Sequence, residues 1–220
     1  DWRRSLRSQA IFKNALPKIM EENPRSRWLF LTLTVENCEI QNLRETIGEM
    51  NKAFERMIKR KAFSFIKGWI RKVEVTQEKN RKNYAHPHFH CLIMVNESYF
   101  KNKGYLTHKD WVKYWTQAMR SKVDLTLDIQ GLREKVDPNG KALVELLKTF
   151  NYSVKTNDIV RDDVTTEWFF EYINQVHALK FLTSGGELKN IFRRLKIDDE
   201  SDEELINVDD QNIESDSKEL

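Results

Sequence analysis

Apolar and polar positions recur with readable periods along most of the chain. Trp28-Leu-Phe-Leu-Thr-Leu-Thr34 is rich in β-forming residues and predicts a central strand. Leu43, Ile47, Met50, Phe54 and Met57 fall at helical spacing, which predicts a helix over 41–59 packing one face on a sheet. A second strand is expected over Gly68–Thr76 and a third over His88–Val95, with a polar, basic turn at Asn80–Ala85 between them. Thr107, followed three residues later by Asp110, marks a helix start whose buried stripe is Trp111, Trp115 and Met119. Val123, Leu125, Leu127 and Ile129 alternate with polar residues and predict a fourth strand. Further helices are expected over Ser8–Met20, Ala142–Phe150 and onward from Tyr152, near 164–182 and near 186–195, with a turn at Asp137-Pro-Asn-Gly140. Long helices between antiparallel-looking strands give an α+β fold with a central antiparallel sheet. The expected organisation is one domain over 1–197, with 1–27 as a basic N-terminal extension, and a disordered acidic tail over 198–220.

Composition narrows the classes. At 220 residues and 40% hydrophobic content the chain has material for a good core, and 32% charged residues suit a large polar surface. The longest apolar runs are too short to cross a bilayer and no secretory signal opens the chain, so a cytoplasmic location with no membrane partner is expected. A chain that opens on Asp1 reads as part of a longer one. Two cysteines, Cys38 and Cys91, exclude a disulfide scaffold and a four-cysteine zinc module. The net charge of +3 hides an asymmetry: residues 198–220 hold eleven acids and one base, which leaves +13 on the rest. A body that basic suits a polyanion, most simply nucleic acid; the plain alternative is a merely solubilising surface.

The candidate chemistry lies in His86-Pro-His-Phe-His90. On a strand, His88 and His90 point to one face about 7 Å apart, while Phe89 and Cys91 point to the other. Glu74, on the neighbouring strand of a hairpin, is the expected third donor; the competing role is a surface acid opposing Arg71 or Lys72. Two imidazoles and a carboxylate suit Mg²⁺ or Mn²⁺ as well as softer ions. Pro87 is expected to turn the chain at His86, giving that residue a loop or supporting role, while His108 and His177 read as structural or surface residues. A helical pair of histidines flanking glutamate, the familiar zinc hydrolase pattern, is absent, as is the cysteine pair of zinc deaminases. A cation that polarises a phosphate then needs a separate nucleophile.

His-Phe-His in an apolar strand, with Phe30-Leu-Thr-Leu-Thr34 upstream and Tyr152-Ser-Val-Lys155 downstream, resembles the three ordered motifs of HUH-superfamily replication initiators, above all the rolling-circle Rep proteins of small Gram-positive plasmids. The resemblance spans residues ~28 to ~160. It implies a divalent cation (Mn²⁺ or Mg²⁺) at the middle motif and attack on DNA by Tyr152, with Lys155 steadying the phenolate or contacting phosphate. Related initiators often carry a glutamate four residues before the tyrosine; here that position is Lys148, and the nearest upstream acid is Glu145. Glu145 would lie about two helical turns from Tyr152. The implied partners are the plasmid double-strand origin, its single-stranded nick site and a host helicase; the oligomeric state is left open. Arg71, Lys72, Arg81 and Lys82 are candidate phosphate contacts, against the plainer reading of a solvated face. The rival functions are a transposase or relaxase of the same superfamily, a non-catalytic metal-containing DNA-binding regulator, and a hydrolase of small phosphoesters.

Overall fold

A computed structural model describes residues 14–132 and 165–194, apart from 16, 102 and 103. The predicted elements over 137–160, the acidic tail and the first residues of the N-terminal helix lie outside the described residues.

The described chain forms strands β1 (Arg27–Thr34) and β2 (Cys38–Glu39), helix α1 (Leu43–Ile58), strands β3 (Ile66–Gln77) and β4 (Tyr84–Val95), helix α2 (His108–Met119), strand β5 (Leu127–Leu132), helix α3 (Thr166–Val176) and strand β6 (Leu182–Gly186). Residues 17–22 and 187–194 are also helical. The strands make one antiparallel sheet in the order β5-β1-β4-β3-β6, with β2 extending the line of β1 along the start of β4. The fold is α+β, as the alternation of helical and strand periods predicts.

One sheet face is closed by α1, α2 and α3. The stripe Leu43, Ile47, Met50, Phe54 and Met57 is buried against Leu31, Leu33, Val73, Val75, Phe89 and Cys91. Trp111 and Trp115 enter the same core, anchored at the helix start by the Thr107–Asp110 capping box. Ala118 completes that stripe as a buried residue, and Met119 is only partly buried. The opposite face is divided. At one end Trp28, Ile70, Leu92 and Met94 form a second, smaller core with Ile19, Leu188 and Ile191 from the flanking helical segments. At the other end the same face carries Thr32, Thr34, Glu74, His86, His88 and His90, all half-buried.

Three local expectations are corrected. The helix near 164–182 ends at Val176, and β6 follows it. Gly185 and Gly186 let β6 dock: a Cβ on Gly185 would lie 2.4 Å from the Trp69 indole, and Gly186 adopts φ +62° against the Lys67 carbonyl. Strand β5 begins at Leu127, leaving Val123 exposed. Pro87 does not turn the chain, because β4 runs through it from Tyr84. On that side β1 stops pairing at His88 and β2 resumes at Ala85. A residue without an N–H is tolerated in such a gap.

Candidate functional site

The hairpin β3–β4 sets the site. Its register places Glu74 opposite His88 and Lys72 opposite His90, and on the other side β1 places Thr32 opposite His90 and Thr34 opposite His88. Opposed residues share a face, so the three histidines, Glu74 and both threonines converge on the polar half of the divided face. The His86 and His88 rings lie 4.1 Å apart and the His88 and His90 rings stack at 6.2 Å, between centroids.

His90 is held at both ring nitrogens. Its Nε2 is 2.5 Å from Glu74 Oε2, and its Nδ1 is 3.2 Å from Thr32 Oγ1. Phe30 stacks on the ring at 5.8 Å. Burial works to raise the Glu74 pKa, but the hydrogen bond and charge of His90, with His88 and Lys72, outweigh it and hold the carboxyl below its usual range. An ionised Glu74 can only accept, so Nε2 carries the proton of that contact, and Thr32 Oγ1 stands within hydrogen-bond distance of Nδ1. If Nε2 instead gave its lone pair to a cation, the proton would sit on Nδ1 and the same hydroxyl would accept it. His88 is pushed down to about 4 by burial and by His86, so it is neutral near pH 7, the form that ligates. Burial lowers His86 as well, against the opposing charge of Glu78.

Among the described residues no three donors already surround one point as a metal cage would. The donor set nevertheless fits a divalent cation chemically: a neutral imidazole, a second imidazole and an ionised carboxylate on adjacent rigid strands, two of them in contact. The contact between Glu74 and His90 is also the one a cation would replace.

Of the predicted site residues, Glu74, His88 and His90 stand together, and His86 joins them as a strand residue. Tyr152, Lys155 and Glu145 lie outside the described residues. Arg71 and Lys72 are both buried, 6% and 5% exposed. As neighbours on a strand they face opposite ways. Arg71 enters the helix-covered core, its guanidinium 4.5 Å from the Phe89 ring centroid and 4.9 Å from that of Phe54, which removes it from any phosphate-binding surface. Lys72 lies on the histidine face, where its Nζ has no hydrogen-bond partner among the described residues; burial pulls its pKa down to about 8 against the opposing pull of Glu74. Arg81 and Lys82 are exposed at the hairpin turn, Arg81 stacked over Tyr84 at 4.1 Å and paired with Glu78 at 3.4 Å. His108 is structural: its Nε2 bonds the Leu127 carbonyl at 3.0 Å. Local spacing missed Thr32 as a partner of His90; the Thr-x-Thr alternation of β1, set in register with β4, is the signal that points to it.

Among the described residues, a six-stranded antiparallel sheet sealed by helices on one face and carrying a histidine–carboxylate cluster on the polar half of the other defines an α+β protein. The chain belongs to the replication-protein family, whose profile it matches over residues 1–220. It is similar to a replication protein of Staphylococcus aureus, 30% identical over 203 residues that cover 90% of this chain and 86% of that one. It is also similar to a protein rep of Streptococcus pneumoniae, 31% identical over 218 residues that cover 97% of this chain and 66% of that one. A further protein rep of Staphylococcus aureus is 35% identical over 159 residues, 71% of this chain and 66% of that one. No solved structure matches the chain. Among the described residues no helix is long and apolar enough to cross a membrane.

Proposed function

We propose that this chain initiates rolling-circle replication of a plasmid by nicking and rejoining single-stranded DNA through a tyrosine. The observation that carries the reading is the Glu74–His90 contact beside His88 on the polar half of the sheet, in a member of the replication-protein family. Glu74, His88 and His90 would hold a divalent cation, Mn²⁺ or Mg²⁺, which when bound supplies Lewis-acid withdrawal of charge from the scissile phosphate.

The covalent step belongs to Tyr152. Its phenolate oxygen attacks the phosphorus, the bond to the 3′ oxygen breaks, and that oxygen leaves as a free 3′-hydroxyl after taking a proton. The 5′ phosphate stays on the tyrosine as a diester, so the bond energy is kept for rejoining. Free phenol titrates near pH 10, so the attack needs help; Lys155, three residues on, steadies the phenolate. With Lys148 where related initiators carry an acid, the terminating cleavage falls to water activated by Glu145 or to a second tyrosine. Thr32 and Phe30 keep the His90 ring aimed. Arg81 and Lys82 bind backbone phosphates, and a host helicase is recruited at the origin.

The test is cleavage of single-stranded origin oligonucleotides in Mn²⁺, read on a denaturing gel. Wild type gives a protein–DNA adduct and a free 3′ end, whereas Tyr152→Phe and His90→Ala give neither. Specific binding by wild type with no adduct on any origin sequence would replace this reading with that of a non-catalytic regulator.

A further inference from the structure

The helix-covered face of the sheet ends in a second recess, remote from the histidines. Leu29 of β1 and Ile129 of β5 form its floor, Tyr99 its back wall, and Phe100, Tyr105 and Arg27 its rim, around a volume of about 400 Å³. That is within the range of small-ligand sites. Leu29 is three to five residues from Thr32 and Thr34, roughly 10–17 Å along β1, and its side chain points to the opposite face. The recess is therefore no part of the histidine cluster.

Its aromatic rim is preorganised. Tyr99 is buried and fixed: its hydroxyl donates to the Leu106 carbonyl at 3.3 Å and accepts from Trp111 Nε1 at 3.4 Å. The Phe100 and Tyr105 rings lie 5.0 and 5.3 Å from that of Tyr99. Yet Phe100 is 39% and Tyr105 51% exposed, two of the five large hydrophobic residues exposed among those described. The surroundings are cationic. The Arg27 guanidinium lies 5.5 Å over the Phe100 ring, and Arg25, Arg27 and Lys101 act on Glu97, to which Lys101 is paired at 2.9 Å, while Asp110 acts on Tyr99. Exposed rings packed on the buried Tyr99, beside an arginine, match the two halves of a nucleotide, base and phosphate. A body charge of +13 favours the same polyanion.

We propose that this recess binds an unstacked base of single-stranded DNA, stacked on Tyr105 and Phe100, with the adjoining phosphate on Arg27. The inference rests on the reading of single-stranded DNA as substrate and adds a second contact away from the nick. Its role is to grip the flank of the strand.

The test uses the full chain and fluorescent single-stranded oligonucleotides in EDTA, so that affinity is read without metal or chemistry. Tyr105→Ala and Phe100→Ala weaken a long oligonucleotide by roughly 5- to 100-fold, the value of one lost stack, and Tyr105→Phe restores it. A short oligonucleotide confined to the nick loses nothing, and its nicking rate in Mn²⁺ is unchanged. An abasic position moved along the long strand weakens wild type at one flanking site and adds nothing at that site in Tyr105→Ala. Equal affinity of wild type and both alanine variants overturns the proposal, as does equal loss on short and long strands. Should no protein nick at all while the Tyr105-dependent affinity persists, the recess stands and the nicking reading falls.

Discussion

On one face of the sheet Leu31, Leu33, Val73, Val75, Phe89 and Cys91 are sealed beneath helices; on the other, the adjacent residues Thr32, Thr34, Glu74, His88 and His90 stay half-buried and polar. The strands and their alternation are the same. The second face also has helices at hand, since Trp28, Ile70, Leu92 and Met94 are covered at its far end by Ile19, Leu188 and Ile191. Among the described residues this apolar cover stops where the histidines begin. Folding explains the first face and the apolar end of the second. Packing among the described residues gives no such account of the polar end; the proposed cation site would supply one.

Neighbours on β4 separate the two roles most sharply. Phe89→Ala opens a cavity in the sealed core and costs about 3–5 kcal/mol in chemical denaturation. His90→Ala costs less, about 1–3 kcal/mol because Glu74 and Thr32 lose their partner, yet it and His88→Ala abolish adduct formation. Their loss of activity exceeds the ~10–100-fold typical of removing an outer partner of a metal ligand. Thr32→Val, which keeps shape and deletes the hydroxyl facing His90, falls in that ~10–100-fold range for Mn²⁺ affinity or nicking, with little change in stability. Equal destabilisation by Phe89→Ala and His90→Ala would erase the contrast between the faces.

Lys72 is an exception on the polar side, a buried ammonium without a hydrogen-bond partner among the described residues. Lys72→Met keeps the stem's packing and removes the charge, and it should raise the unfolding free energy by about 1 kcal/mol or more. A drop in stability would make Lys72 part of the structural half. The smallest effect is expected at the hairpin turn. Arg81→Ala and Lys82→Ala leave stability unchanged and each lower the salt dependence of DNA binding by about one phosphate contact.

Much of this was legible in the sequence where period and burial agree. The α1 stripe, the Thr107–Asp110 cap with its tryptophans, and the His-x-His strand all follow from local spacing. What escaped depends on partners distant in sequence. Gly185-Gly186 does not read as strand until Trp69 and Lys67 are placed against it. Pro87 looks like a turn until β1 and β2 are seen to leave a gap in the ladder beside it. Thr32 is one of many threonines until the register sets it on His90. The pairing of Arg71 with Lys72 as phosphate contacts failed on a rule the sequence already contains: consecutive strand residues face opposite ways, so Arg71, beside Lys72 and Glu74, had to face the core. Tyr152, Lys155 and Glu145 rest on motif order alone.

The central claim is that the polar half of the divided face holds a divalent cation through Glu74, His88 and His90. Titrating Mn²⁺ into the metal-free protein, followed by electron paramagnetic resonance of the free ion, tests it directly. The account predicts one bound ion per chain in wild type, and binding lost in His90→Ala and Glu74→Gln while both variants stay folded by circular dichroism. Undiminished Mn²⁺ binding in either folded variant would contradict it.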